Sequence, residues 1–223
     1  MTTETYLSES ADGHILGQSP TYATARATST SSEAAGTTNT VGQNFGGAQY
    51  FVFRGYLSFD SSAIPDDATV DSATLGVCAD ADSSTTDFNV QVYRYDWVET
   101  LSANREANFD GAYGGSATLE GTLRATSSGW TGGTFYTLAV DAAGINKSGD
   151  TKYTLCSSRD IAGNTPTGNE YVTFRSGDYA STTSDPYLEV VYTPLATGQP
   201  VSVRLFGIPH ARLPGQGGAR IAG

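Results

Sequence analysis

Histidine, methionine and basic side chains are scarce in this 223-residue sequence, which holds two His, one Met and 12 Lys plus Arg against 23 Asp plus Glu. His14 and His210 lie far apart in Gly- or Pro-punctuated surroundings, which leaves a histidine metal site or a Ser–His–Asp triad without its components. HExxH, GxSxG, a Walker loop and a GxGxxG behind a strand are all absent, so no catalytic, cofactor or metal residue is assigned. The net charge of −11 makes the body repel phosphate backbones and anionic lipid surfaces, which argues against nucleic acid as a partner. No run approaches the roughly 20 apolar residues of a membrane helix. The start, MTTETYLSES, has no basic region followed by an apolar stretch, so neither a span nor a secretory signal peptide is expected.

Cysteine is nearly absent too. Cys78 and Cys156 sit in the apolar stretches TLGVCADA and KYTLCSS, without Cys or His at metal-ligand spacing. Buried free thiols are expected ahead of a disulfide or a metal role, in keeping with synthesis in a reducing host cytoplasm.

What is plentiful points to sheet. Thirteen Tyr and nine Phe favour pleated, half-buried surfaces, and 26 Gly suit many turns. Period-two segments recur at residues 50–60, 68–79, 88–97, 117–125, 134–140, 153–157, 171–175 and 187–192, and each is read as a strand. In FNVQVYRYDW, Phe88, Val90 and Val92 share one face with Arg94, while Tyr93, Tyr95 and Trp97 share the other; one face is core and the aromatic face is a candidate for cover as well. Turn-rich runs such as SSAIPDDA and DADSSTTD separate the strands at the spacing of an antiparallel sandwich. Residues 102–108 and 140–147 are the two candidate helices, and 24–40 reads as a long surface loop or a weak edge strand. The fold class is therefore all-β: an antiparallel sandwich over residues 1–194.

Paired carboxylates could serve a glycosidase, and Asp66, Asp67, Asp80, Asp82, Glu99 and Glu106 are the candidates. Asp66 and Asp67 follow Ile64-Pro65 and fit a turn; Asp80 and Asp82 flank a loop and could offer oxygens to Ca²⁺, with solvated loop carboxylates the simpler reading. Trp97, Trp130, Tyr113 and Tyr136 could stack on a glycan, against a core role for the same rings.

The pattern breaks after Pro194. Residues 195–223 hold three Pro, six Gly and no carboxylate side chain. Removing Arg204, Arg212 and Arg220 leaves 12 − 3 = 9 basic and 23 acidic residues, so a body of −14 carries a +3 tail. With Phe206, Ile208 and the alternating VSVRLF it reads as an extended C-terminal arm laid on a partner, with Arg204, Phe206, Ile208, Arg212 and Arg220 as its contacts.

The stretch YFVFRGYLSFDSSAIPDDATVDSATLGV, followed by Ile145-Asn146-Lys147, Ser158-Arg159-Asp160, Val172-Thr173-Phe174 and Pro186-Tyr187-Leu188, resembles the jelly-roll superfamily of DNRLRE-type domains and their carbohydrate-binding-module-like relatives. The resemblance covers residues 11–193 and implies a jelly roll, a fold that serves many functions. Arg54, Arg159 and Arg175, in or beside strands, are expected to form buried ion pairs, for example with Asp60 or Asp160. A sandwich that starts at Met1 with no enzyme attached, and that carries an apolar, cationic arm, is similar to tailed-phage virion proteins, above all capsid decoration and head-fibre proteins. That likeness implies a non-enzymatic virion component, a homotrimer bound to the major capsid protein or to neighbouring copies. A carbohydrate- or receptor-binding module is the alternative.

Overall fold

The structure, a computed structural model, describes residues 1–195; the arm contacts Arg204, Phe206, Ile208, Arg212 and Arg220 lie outside the described residues. The described chain forms twelve strands, all paired antiparallel: β1 (Thr2–Leu7), β2 (Gly13–Ser19), β3 (Ser31–Glu33), β4 (Thr38–Gly46), β5 (Gln49–Asp60), β6 (Thr69–Asp82), β7 (Asn89–Arg94), β8 (Thr118–Ala125), β9 (Phe135–Val140), β10 (Asp150–Ser157), β11 (Asn169–Arg175) and β12 (Tyr187–Thr193). Three short helices accompany them: α1 (Tyr22–Ala27), α2 (Arg105–Gly111) and α3 (Ser158–Ala162).

One sheet runs β1-β12-β6-β9 and the other β11-β4-β5-β10-β7-β8, with β2 beside β5 and β3 on β2. Strand β6 belongs to both. Its first part pairs with β12 and β9, and Ala79 to Asp82 turn to β11 across a register shift at Thr173/Phe174. A bulge bends a strand and raises its twist, which lets the sheet curl over itself into a sandwich of jelly-roll type.

Alternation then fills the space between the sheets. Leu75, Val77, Leu188 and Val190 from one sheet meet Leu57, Phe59, Val90, Val92, Tyr153 and Leu155 from the other, all buried. The opposite face of β5, β7 and β10 is covered as well. There Val52, Tyr56, Tyr93 and Cys156 form a second layer with Ile15, Tyr22, Trp97, Leu101 and Phe109, beneath α1, α2 and the loop that precedes α2. The two faces read in FNVQVYRYDW are thus both core, with Phe88, Val90 and Val92 inside and Tyr93 and Trp97 in the second layer.

The eight expected strands all form, with ends shifted by a few residues. Of the two readings of 24–40, a loop or a weak edge strand, the second holds for the short edge strand β3, while most of α1 and the start of β4 also fall in this stretch. Residues 140–147 hold no α-helix but a single 3-10 turn, Ala142–Gly144, whose cap Asp141 accepts from the Ala143 N–H at 3.0 Å. Both thiols are free and buried. Among the described residues, no helix is long and apolar enough to cross a membrane.

Candidate functional site

Arg54 projects from β5 into the second layer and is 1% exposed. Its guanidinium reaches all three helices. It meets Asp160 of α3 through Nε at 2.9 Å and Nη2 at 3.3 Å, the Phe109 carbonyl of α2 at 2.6 Å and the Arg26 carbonyl of α1 at 3.0 Å. The Phe109 ring lies 3.8 Å from its central carbon. Arg26 adds a second cation to the fully buried Asp160, its Nε 3.1 Å away. Burial works against the charge on Arg54, but the Asp160 carboxylate outweighs it and raises the guanidinium pKa. Of the two acids offered as partners for these arginines, Asp160 is the one that pairs with Arg54, whereas Asp60 is exposed and accepts from Ser62 N–H and Oγ. Arg159 pairs instead with buried Glu170 at 2.7 Å, and Arg175 binds Ser184 Oγ at 2.8 Å and packs on Tyr179.

The other candidate residues have local partners. Asp82 Oδ1 accepts from Ser84 N–H and Oγ, Asp80 Oδ2 from Thr173 Oγ1, and Glu106 from the Ser29 N–H and Oγ. Asp66 and Asp67 are exposed in the turn before β6. Trp97 and Trp130 are 0% and 3% exposed, and their indole N–H groups donate to the Leu57 and Thr173 carbonyls. A sugar platform on Trp130 is therefore ruled out by burial. The core role weighed for both indoles is the one they take.

One carboxylate group does converge. Glu9, Glu99 and Asp150 bring ligand atoms within 4.8 Å of one another. Lys152 Nζ stands 3.1 Å from Glu99 and 3.9 Å from Asp150, supplying the cation such a cluster needs. Burial, then neighbouring acids, raises the pKa of Glu9 and of Asp150. The clefts nearby are shallow; one of about 150 Å³ beside Asp150 is lined by Arg94, Asp96 and Asn146.

A surface missed by the sequence reading lies across four strands. In register, Leu16 of β2, Phe53 of β5, Gly42 of β4 and Tyr171 of β11 form one row, and Gln18, Phe51, Asn44 and Asn169 the next. Because Gly42 has no side chain, the Phe53 and Tyr171 rings meet over it with centroids 6.0 Å apart. Phe51 lies nearly parallel to Phe53 at 6.5 Å. All three rings are half-buried, and three amide side chains flank them. Gly42 adopts φ 133°, and a Cβ there would stand 2.8 Å from Tyr171 Cβ, so only glycine fits the backbone and keeps the strip closed. The signal in sequence was the FVF of β5, but its partner across β4 comes from more than 100 residues away.

No family model matches this chain. No curated protein matches it either.

Proposed function

We propose that the chain is a non-enzymatic assembly module, of the kind found as capsid decoration or head-fibre proteins on virions, in which the sandwich is the projecting body and residues 195–223 are the attachment arm. The observation that carries this reading is the contrast of charge and apolarity along the sequence: a body of −14, by the count of 9 basic against 23 acidic residues, ends in a stretch with three Arg, no carboxylate side chain, and Phe206 and Ile208 among its apolar residues. In support, the best-formed ionic groups of the body, Arg54–Asp160 and Arg159–Glu170, are committed to holding its own elements together. Attachment then falls to the arm, whose Arg204, Arg212 and Arg220 pair with acidic groups on a capsid protein or on adjacent copies in a trimer while Phe206 and Ile208 fill pockets. Deleting residues 195–223 tests it. The truncated protein is expected to keep its melting midpoint and lose incorporation into particles; normal incorporation sinks the proposal.

A second reading has its own observation. Aromatic rings flanked by amides, as at Phe51, Phe53 and Tyr171 with Gln18, Asn44 and Asn169, suit the apolar faces and hydroxyls of a sugar. Binding on a glycan array that disappears in Phe51→Ala/Phe53→Ala would favour a carbohydrate-binding module.

A further inference from the structure

An apolar groove opens beside the point where the described chain ends. Strand β9 stops pairing with β6 at Val140, opposite Ala73. Thr69 to Ser72 of β6 therefore carry β12 on one side and, among the described residues, no strand on the other. The 3-10 turn Ala142–Gly144 follows β9 on that open side. Between the turn and the start of β6 lies a groove of about 450 Å³, lined by Ala68, Val70, Ala142, Ala143 and Ile145, with Asp141 and Lys147 as its charged members. Its floor is continuous with the inner core, since Ile145 is buried there and Val70 packs against it. That volume falls in the range of about 300–1,000 Å³ that holds an apolar ligand.

The surroundings favour a cationic occupant. Asp66 and Asp67, in the turn that leads into Ala68, and Asp141 are exposed, whereas Lys147 folds back to donate to the Asp66 and Ala68 carbonyls, the latter at 2.9 Å. The chain itself supplies such an occupant nearby. Tyr192 pairs with Val70 and Thr193 with Thr69, and Thr193 Oγ1 donates to Asp71 Oδ2 at 2.7 Å. The described chain thus leaves at Leu195, 64% exposed, on the far side of the same strand that borders the groove. Crossing one strand takes roughly 5 Å, and residues 196–200 (ATGQP) can span up to roughly 17 Å. VSVRLF comes next; when extended, it puts Val201, Val203 and Leu205 on one face and Arg204 and Phe206 on the other. So short a tether holds the segment at an effective concentration of about millimolar, which lets a weak apolar contact form.

We propose that this groove seats residues 201–205 of the chain's own C-terminal segment, with Val201, Val203 and Leu205 against Val70, Ala143 and Ile145 and with Arg204 toward the carboxylates of Asp66 and Asp67. The inference rests on the reading of residues 195–223 as an arm and goes beyond it: the groove fixes the root of the arm to the body. Phe206 and Ile208 fall on the face turned away from the groove and stay open to a partner.

The test follows trypsin cleavage of the full chain after Arg204 and after Arg220, with a synthetic peptide of residues 195–223 setting the intrinsic ratio of the two rates. In the parent protein, cleavage after Arg204 is expected to be about tenfold slower than that ratio requires, because only the undocked arm is cut. The slowing should be the same at every protein concentration. Ala143→Arg, at an exposed position, fills the groove, repels Arg204 and should restore the ratio of the peptide. Val201→Asp should do the same from the other side of the contact, and its place outside the described body separates lost docking from a damaged fold. A parent that is cut at the ratio of the peptide, or a slowing that survives both substitutions, overturns the proposal. Slowing that grows with protein concentration assigns the groove to the arm of a second copy and overturns docking within one chain. The assay contains no particles, so its failure leaves the incorporation test of the attachment reading untouched.

Discussion

Between the sheets, Leu57, Phe59, Leu75, Val90, Leu155 and Leu188 meet through apolar surface alone, whereas on the other face of β5 and β10, Val52, Tyr56 and Cys156 share their layer with the buried charges Arg54 and Asp160. The inner layer is made by strands on both sides, and strands aim alternate side chains at each other without further instruction. The outer layer is covered by α1, α2, α3 and the loop before α2, short pieces with no repeating apolar stripe to set their position. Helices of five to seven residues are marginal on their own. A directional contact has to place them, and Arg54 bonds to all three. A charge can be buried here because it organises what the apolar pattern leaves unspecified.

The largest effect is expected from Asp160→Ala, which leaves Arg54 buried without a counter-charge. Removing one partner of a buried pair is expected to cost about 3–5 kcal/mol, read by urea unfolding. Amide exchange should show where: the amides of α1 and α2 lose protection while those of β6 and β12 keep theirs. Uniform loss across both layers would mean that the outer cover is not a separate cooperative unit. Arg54→Met/Asp160→Leu removes both charges and should recover much of the loss if packing alone can hold the cover.

Leu75→Ala attacks the inner layer, with an expected cost of about 3 kcal/mol for a fully buried leucine. Here exchange should rise in both layers, since the outer cover rests on the inner sandwich. Gly42→Ala is smaller, about 1–3 kcal/mol for backbone strain at φ 133°, and should also loosen the Phe53–Tyr171 contact, seen as a change in near-ultraviolet circular dichroism.

The two layers were unequally legible in the sequence. Strands β5 to β12 carry their own alternation, so YFVFRGYLSFD and TLGVCA announce themselves. Strands β1, β2 and β4 do not. TNTVGQNFG of β4 has only Val41 and Phe45 as large apolar residues, and it becomes a strand because β11 and β5 offer it edges; β1 joins β12 from the opposite end of the described chain. Such pairings are long-range and leave no local trace. Helix α1 has Thr21 as its N-cap but no side-chain cap bond and no acidic residue in its first turn, so its start signal is weak. Arg54 could be read as half of a buried pair from its place in a strand, but Asp60 was as near a candidate as Asp160. Only the fold shows that Asp60 is held in its own turn by Ser62. The aromatic strip escaped for the same reason: Phe53 and Tyr171 become neighbours only through Gly42 of a third strand.

The smallest effect bears on the surface charge outside both layers. Glu9 and Asp150 have carboxyl pKa values raised by burial and by each other's neighbours, Glu99 and Asp60. Below the unfolded-state carboxyl pKa both groups are protonated in either state; as pH rises through the raised native values, the folded protein loses the protons it bound more tightly, and stability falls. Asp150→Asn removes one charge from the cluster and should flatten that decline over the pH range just above the ordinary carboxyl pKa, while leaving Lys152 paired with Glu99 at 3.1 Å. Because the cluster is solvent-screened, the change should be modest beside either core substitution. Unfolding curves in EDTA across that pH range measure the slope directly, and a steeper decline in Asp150→Asn would show that Lys152 holds the cluster through Asp150 and not through Glu99.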